Sequence, residues 1–172
     1  ISFKNFLSEC KSLNDLKINF DTSQATDMGS MFNDCGSLTE INVSNFNTEK
    51  VTDMSYMFSN MDELTSLDVS KFNTKNVKTM EGMFQLCGSL YKFDVSNFDT
   101  SSCKDMSMMF HELFSVRSLD VSKFNTSLVE DMYKMFAHLK YLTSLDLSNF
   151  DTSECYDMSL MFSGNSNLRS LD

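Results

Sequence analysis

Four aspartates, Asp68, Asp94, Asp120 and Asp146, follow one another at one constant interval, each between two apolar residues of a short alternating segment. Carboxylates repeated at one interval come to the same place on successive turns of a stacked chain. On neighbouring parallel strands they lie about 5 Å apart, so their ionised forms repel unless a cation or a donor stands between them. The chemistry on offer is divalent-ion binding through oxygen ligands. The plainer alternative is that each carboxylate bonds a nearby Ser or Lys, or faces water.

A second group occupies the variable positions of the same segments, which read Thr39-Glu40, Thr65-Ser66, Tyr91-Lys92, Arg117-Ser118 and Thr143-Ser144. Tyr91, Lys92 and Arg117 stand out against small hydroxyl neighbours, and Tyr and Arg are common anchors of protein interfaces. Neutral variation on a solvated face accounts for the same pattern. The candidate partner-binding residues are therefore Tyr91, Lys92 and Arg117, with Asp68, Asp94, Asp120 and Asp146 beside them.

No catalytic residue is expected. His111 and His138 follow Phe110 and Phe136 at positions that hold Ser, Gln, Asn or Gly in other repeats, and they read as solvated variations. There is no Ser-His-Asp arrangement, phosphate loop or metal-spaced Cys/His cluster, so neither an enzyme, a cofactor nor a metal centre is anticipated. Twelve of the fourteen Met fall in two repeat columns, which points to core packing rather than a copper site. Cys10, Cys35 and Cys87 share one column, and Cys103 and Cys155 replace the valine of another. Column members two coils apart would be about 10 Å apart, beyond disulfide reach. Only Cys10 and Cys35, on neighbouring coils, are placed to pair; five reduced, buried thiols are the expectation, and the redox compartment stays open.

The elements that carry these residues follow from the repeat itself. Met-Phe recurs at Met31-Phe32, Met57-Phe58, Met83-Phe84, Met109-Phe110, Met135-Phe136 and Met161-Phe162, always with the same spacing. One unit reads Leu64-x-x-Leu67-x-Val69-x-x-Phe72-x-Thr74-x-x-Val77-x-x-Met80-x-x-Met83-Phe84-x-x-Cys87. Repeats start near 13, 38, 64, 90, 116 and 142, with partial repeats at 1–12 and 168–172, so that 1–172 forms a single repeat domain. The first unit is one residue short between Ile18 and Phe20. Neither end is capped, which suggests a segment of a longer chain, or ends covered by further repeats, domains or subunits.

Within a unit, Leu67-x-Val69 alternates with polar residues as a short strand with one buried face does. Val77, Met80, Met83, Phe84 and Cys87 are spaced to lie on one arc of a helix. Thr74 or Asn73 suits its N-cap, and an acidic residue such as Asp53 would lie near the positive end of the corresponding helix. The Thr column also has a superficial likeness to ice-binding threonine arrays; capping is the more economical reading. The predicted fold is α/β: a leucine-rich-repeat-like right-handed solenoid with one short parallel strand and one short helix per 26-residue repeat.

Leu-x-x-Leu-x-Val-x-x-Phe resembles the leucine-rich-repeat strand signature, with Phe in place of the usual Asn or Cys. The longer stretches LTSLDVSKFNTKNVKTMEGMF and LTSLDLSNFDTSECYDMSLMF are similar to the 26-residue repeat of bacterial surface proteins and lipoproteins, a BspA-like group also seen in some protists. The resemblance implies a surface-displayed or extracellular module of adhesion or protein-binding type.

The formal charge of -10 argues against nucleic acid or an anionic membrane as partner. No run approaches the roughly 20 apolar residues that span a bilayer. The functional expectation is a non-enzymatic interaction or adhesion module on a cell surface, binding a protein of unknown identity; the alternative is a structural scaffold or spacer subunit of a larger, even intracellular, assembly. Asn42-Val43-Ser44 and Asn125-Thr126-Ser127 fit glycosylation sequons, although chance matches are expected in a chain so rich in Asn and Ser.

Overall fold

The computed structural model describes residues 1–172. It contains no helix; its regular elements are four very short strands, β1 (Ser66–Leu67), β2 (Lys92–Phe93), β3 (Ser144–Leu145) and β4 (Ser170–Leu171). β1 pairs in parallel with β2, and β3 with β4, so that Ser66 faces Lys92 and Ser144 faces Ser170, equivalent positions of adjacent coils. The α/β architecture with one helix per repeat is therefore overturned, and the reason lies in the backbone of the Met-Phe segment.

A helix needs each N–H to reach the carbonyl four residues back. Over Met80–Leu90 the in-coil backbone bonds span three residues instead: Met83 N–H to Met80 O, Gln85 N–H to Gly82 O, and Leu90 N–H to Cys87 O. The N–H groups of Met80, Gly82, Phe84 and Leu86 leave the coil and donate to Asp105, Ser107, Met109 and His111 of the next. Two residues in each segment take a left-handed backbone, Gly82 and Leu86 here, Ser30 and Asp34, Tyr56 and Asn60, or Met108 and Glu112 elsewhere. That conformation costs roughly 1–2 kcal/mol per non-glycine residue. It also turns alternate amides toward the neighbouring coil. Tight turns closing over three residues bury every third side chain much as a helix face does, which is why the spacing alone resembled one.

The same pattern repeats along the axis. Asp27, Asp53, Thr79, Asp105, Asp131 and Asp157 form an unbroken line of parallel bridges that begins at Ser2. In the first coil the offset is shorter by one: Phe3, Asn5, Leu7 and Glu9 donate to Asp27, Gly29, Met31 and Asn33. The missing residue also removes a turn, since Val69 O accepts from Phe72 N–H in the third coil whereas no such bond joins Ile18 to Phe20.

The core is one cluster of 42 buried apolar residues. At its centre Phe32, Phe58, Phe84, Phe110 and Phe136 stack along the axis, and half-buried Phe162 continues the column at its end, with centroids 5.7 to 6.0 Å apart and planes within 12° of parallel. Phe46, Phe72, Phe98, Phe124 and Phe150 flank that column at 6.2 to 6.4 Å. Offset phenyl contacts at these distances add to the burial of each ring.

The threonine column does not cap helices. Thr48, Thr74, Thr100 and Thr126 are buried, and each hydroxyl is bonded twice to the next coil. Thr74 Oγ1 donates to Asp99 O at 3.0 Å and accepts from Asp99 N–H at 2.8 Å. Thr48 does the same with Asn73, and Thr100 with Asn125. The hydroxyl, able both to donate and to accept, closes a gap in the backbone ladder from inside the core.

A candidate interaction face

The residues singled out by their spacing separate into two arrangements. Asp68, Asp94, Asp120 and Asp146 accept from the N–H of Ser70, Ser96, Ser122 and Ser148 at 2.8 to 3.0 Å, two positions on in every case. These are Asx turns, in which a short carboxylate side chain fixes the corner after the strand segment. The serine hydroxyl and N–H together hold the carboxyls of Asp68, Asp120 and Asp146 below the ordinary carboxylate range. Each carboxylate is thus engaged by its own turn, and no three His, Cys, Asp or Glu side chains converge as metal ligands would.

Tyr91 and Arg117 do come together. Both are exposed, and with Ser115, Ser118 and Tyr141 they line a cleft of about 390 Å³. The Arg117 guanidinium carbon stands 5.3 Å from the centre of the Tyr141 ring, and Lys140 Nζ stands 5.4 Å from it. Such placement of a cation over an aromatic face is attractive and orients the guanidinium. Lys92, exposed on β2, lines the adjoining hollow with Asp68 and Asp94. Tyr141 is the member that sequence reasoning missed. Its column otherwise reads Ser37, Glu63, Ser89, Ser115 and Asn167, so an aromatic residue there was a signal open to the same comparison of columns.

The strand face opens at this point. Arg117, Ser118 and Leu119 form no backbone hydrogen bond with the coil on either side, whereas Lys92 donates to Thr65 O and Ser170 to Thr143 O. Phe93 is the only aromatic in a column that otherwise holds Ile41, Leu67, Leu119, Leu145 and Leu171. Its half-buried ring packs 5.3 Å from Phe84, and pairing stops beyond its coil.

Of the two histidines expected to be solvated, His138 is exposed and His111 is not. His111 is mostly enclosed, its ring 5.7 Å from His138 in an edge contact, and its Nδ1 has no hydrogen-bond partner. Burial pushes its pKa down. The cysteines are all free thiols. Cys35 Sγ donates to Leu7 O and Cys87 Sγ to Phe58 O. Burial raises Cys35 to about 11, and Cys87 and Cys103 to about 12, leaving them poor nucleophiles.

On the far side the bridge-column carboxylates also make Asx turns: Asp53 accepts from Ser55 N–H and Oγ, and Asp131 from Tyr133 N–H. Asp131 is raised above its ordinary value, by burial first and then by the charges of Asp105 and Asp157. No helix of the structure is long and apolar enough to cross a membrane.

A sixfold recurring Met-Phe segment, parallel bridges between coils and one continuous core define a repeat protein. A family model described as "Mycoplasma protein of unknown function, DUF285" matches residues 1–118 and 89–171, and the chain belongs to that family. Among curated proteins no match is found.

Proposed function

We propose that this chain is a non-enzymatic protein-interaction module, displayed on a cell surface, that engages its partner through the face carrying Tyr91, Arg117 and Tyr141. The observation that carries the reading is the state of Arg117, an exposed guanidinium aligned on a tyrosine ring. Arg117, Lys92 and Lys140 form no ion pair within the chain. Aromatic and arginine side chains in one cleft are the composition expected of an interface centre. The placement on a surface rests on the likeness of the repeat to BspA-like surface proteins. The core columns leave little room for chemistry: Cys35, Cys87 and Cys103 are buried, Cys10 and Cys155 partly so, and the repeated carboxylates serve turns.

The test is a pull-down from an extract of the host-cell surface, with the immobilised chain set against its Tyr91→Ala/Arg117→Ala variant. Both substitutions are at exposed positions, so folding is retained. The reading predicts a protein captured by the wild type and lost with the double variant; equal capture by both would remove the face from consideration.

A further inference from the structure

We infer that the Tyr91–Arg117–Tyr141 cleft takes a short protein segment in which carboxylates alternate with apolar side chains. The inference rests on the interaction-module reading and names the chemistry of the partner. Three features of the cleft converge on it. Cations stand on two successive coils, Lys92 on one and Arg117 and Lys140 on the next, in a chain whose net charge is -10, and none of them forms an ion pair within the chain. The guanidinium offers a planar fork that matches a carboxylate in two parallel hydrogen bonds.

The second feature is the gap in the ladder. The Arg117 and Ser118 backbone groups, both on exposed residues, have no partner in either neighbouring coil. Polar backbone left unpaired beside an oriented guanidinium can bond an extended segment laid along the coil, much as strand addition works at a sheet edge. The third is the apolar wall. It is formed by the two tyrosine rings of the cleft, Tyr91 being 65% exposed and Tyr141 43%. These rings offer contact area for apolar side chains flanking the carboxylate.

The long-range field discriminates among anions. A uniformly charged polyanion such as a sulfated polysaccharide must approach a molecule of like overall sign, and the three local cations, already counted in the net -10, do not reverse that repulsion beyond a Debye length of about 8 Å. A segment with only a few carboxylates meets the local cations without the larger penalty, and its apolar residues use the rings.

The experiment is a titration of the isotope-labelled chain, followed by amide chemical shifts, with the capped peptide Leu-Glu-Phe-Asp-Leu-Glu. Its Gln/Asn counterpart and a heparin oligosaccharide serve as parallel arms. The acidic peptide is expected to move the amides of Tyr91, Arg117, Ser118 and Tyr141, and Arg117→Ala to weaken it by about tenfold or more, as loss of a charge-assisted contact does. Added salt should weaken it further. Equal shifts from the neutral peptide would overturn the acidic assignment while leaving the cleft an interface. Shifts from heparin alone would overturn the choice of a protein segment. No shift at these amides in any arm would overturn the inference outright, and the pull-down above would then judge the interaction-module reading separately.

Discussion

Each buried threonine hydroxyl answers for two backbone groups of the neighbouring coil. Replacing Thr74 by Val keeps the shape of the side chain and removes the oxygen, leaving the Asp99 N–H and C=O without their partner. An unsatisfied buried group costs about 1–3 kcal/mol, so Thr74→Val is expected to lower stability by about that much in chemical denaturation. A change under about 0.5 kcal/mol would mean that water reaches the site and substitutes for the hydroxyl. Asp131 gives the opposite sign. Its carboxyl is raised in the fold by burial and by Asp105 and Asp157, so the native state binds its proton more readily than the unfolded chain. Ionised Asp131 is destabilising above the folded pKa, and the penalty fades as pH falls through that value toward the unfolded one. Asn retains an oxygen for the Tyr133 N–H, which Asp131 now bonds at 2.8 Å. Asp131→Asn is therefore expected to raise the denaturation midpoint at neutral pH, with the gain vanishing in acid. A midpoint that falls at pH 7 would contradict the assigned cause.

At the scale of the element, the sequence was legible in its columns and misleading in its conformation. Met80, Met83, Phe84 and Cys87 are buried, as are Leu64, Leu67, Val69 and Phe72, and a three-residue periodicity sufficed to find them. The same periodicity suits a helix and a run of tight turns. What separates the two is the destination of the alternate amides, and no residue type encodes that locally: the left-handed position of Gly82 is occupied by Ser30, Tyr56, Met108, Lys134 and Leu160 in other coils. Glycine or asparagine throughout would have announced the turn. Here the conformation is imposed by bonds to the next coil, far along the chain, an interaction that propensity cannot report. The carboxylate column was found from spacing, yet its role as a set of Asx turns depended on the Ser that follows two positions later, a short-range signal that was open to reading. Tyr91 and Arg117 were found because variation at a solvated column stands out. Tyr141 lies outside the strand segment, in a column of Ser, Glu and Asn, and only the fold brings it to Arg117.

For the whole molecule, each coil touches chiefly its two neighbours, and the aromatic stack, the threonine links and the bridge line all run along one axis. Stability in such an array is close to a sum of coil and interface contributions. The proposed interaction face lies where the strand pairing is interrupted, at the coil of Arg117, so that on this proposal the core carries the architecture and the departure from repetition carries recognition. The backbone hydrogen bonds between coils are what make the array, and they can be observed one at a time. Through-hydrogen-bond scalar couplings on an isotope-labelled chain connect an amide nitrogen to the carbonyl carbon that accepts from it. The stacked-turn architecture predicts that the Phe58 nitrogen couples to the Met83 carbonyl and the Phe84 nitrogen to that of Met109. Couplings from Phe58 to Met54 and from Phe84 to Met80, the partners a helix would supply, would contradict it.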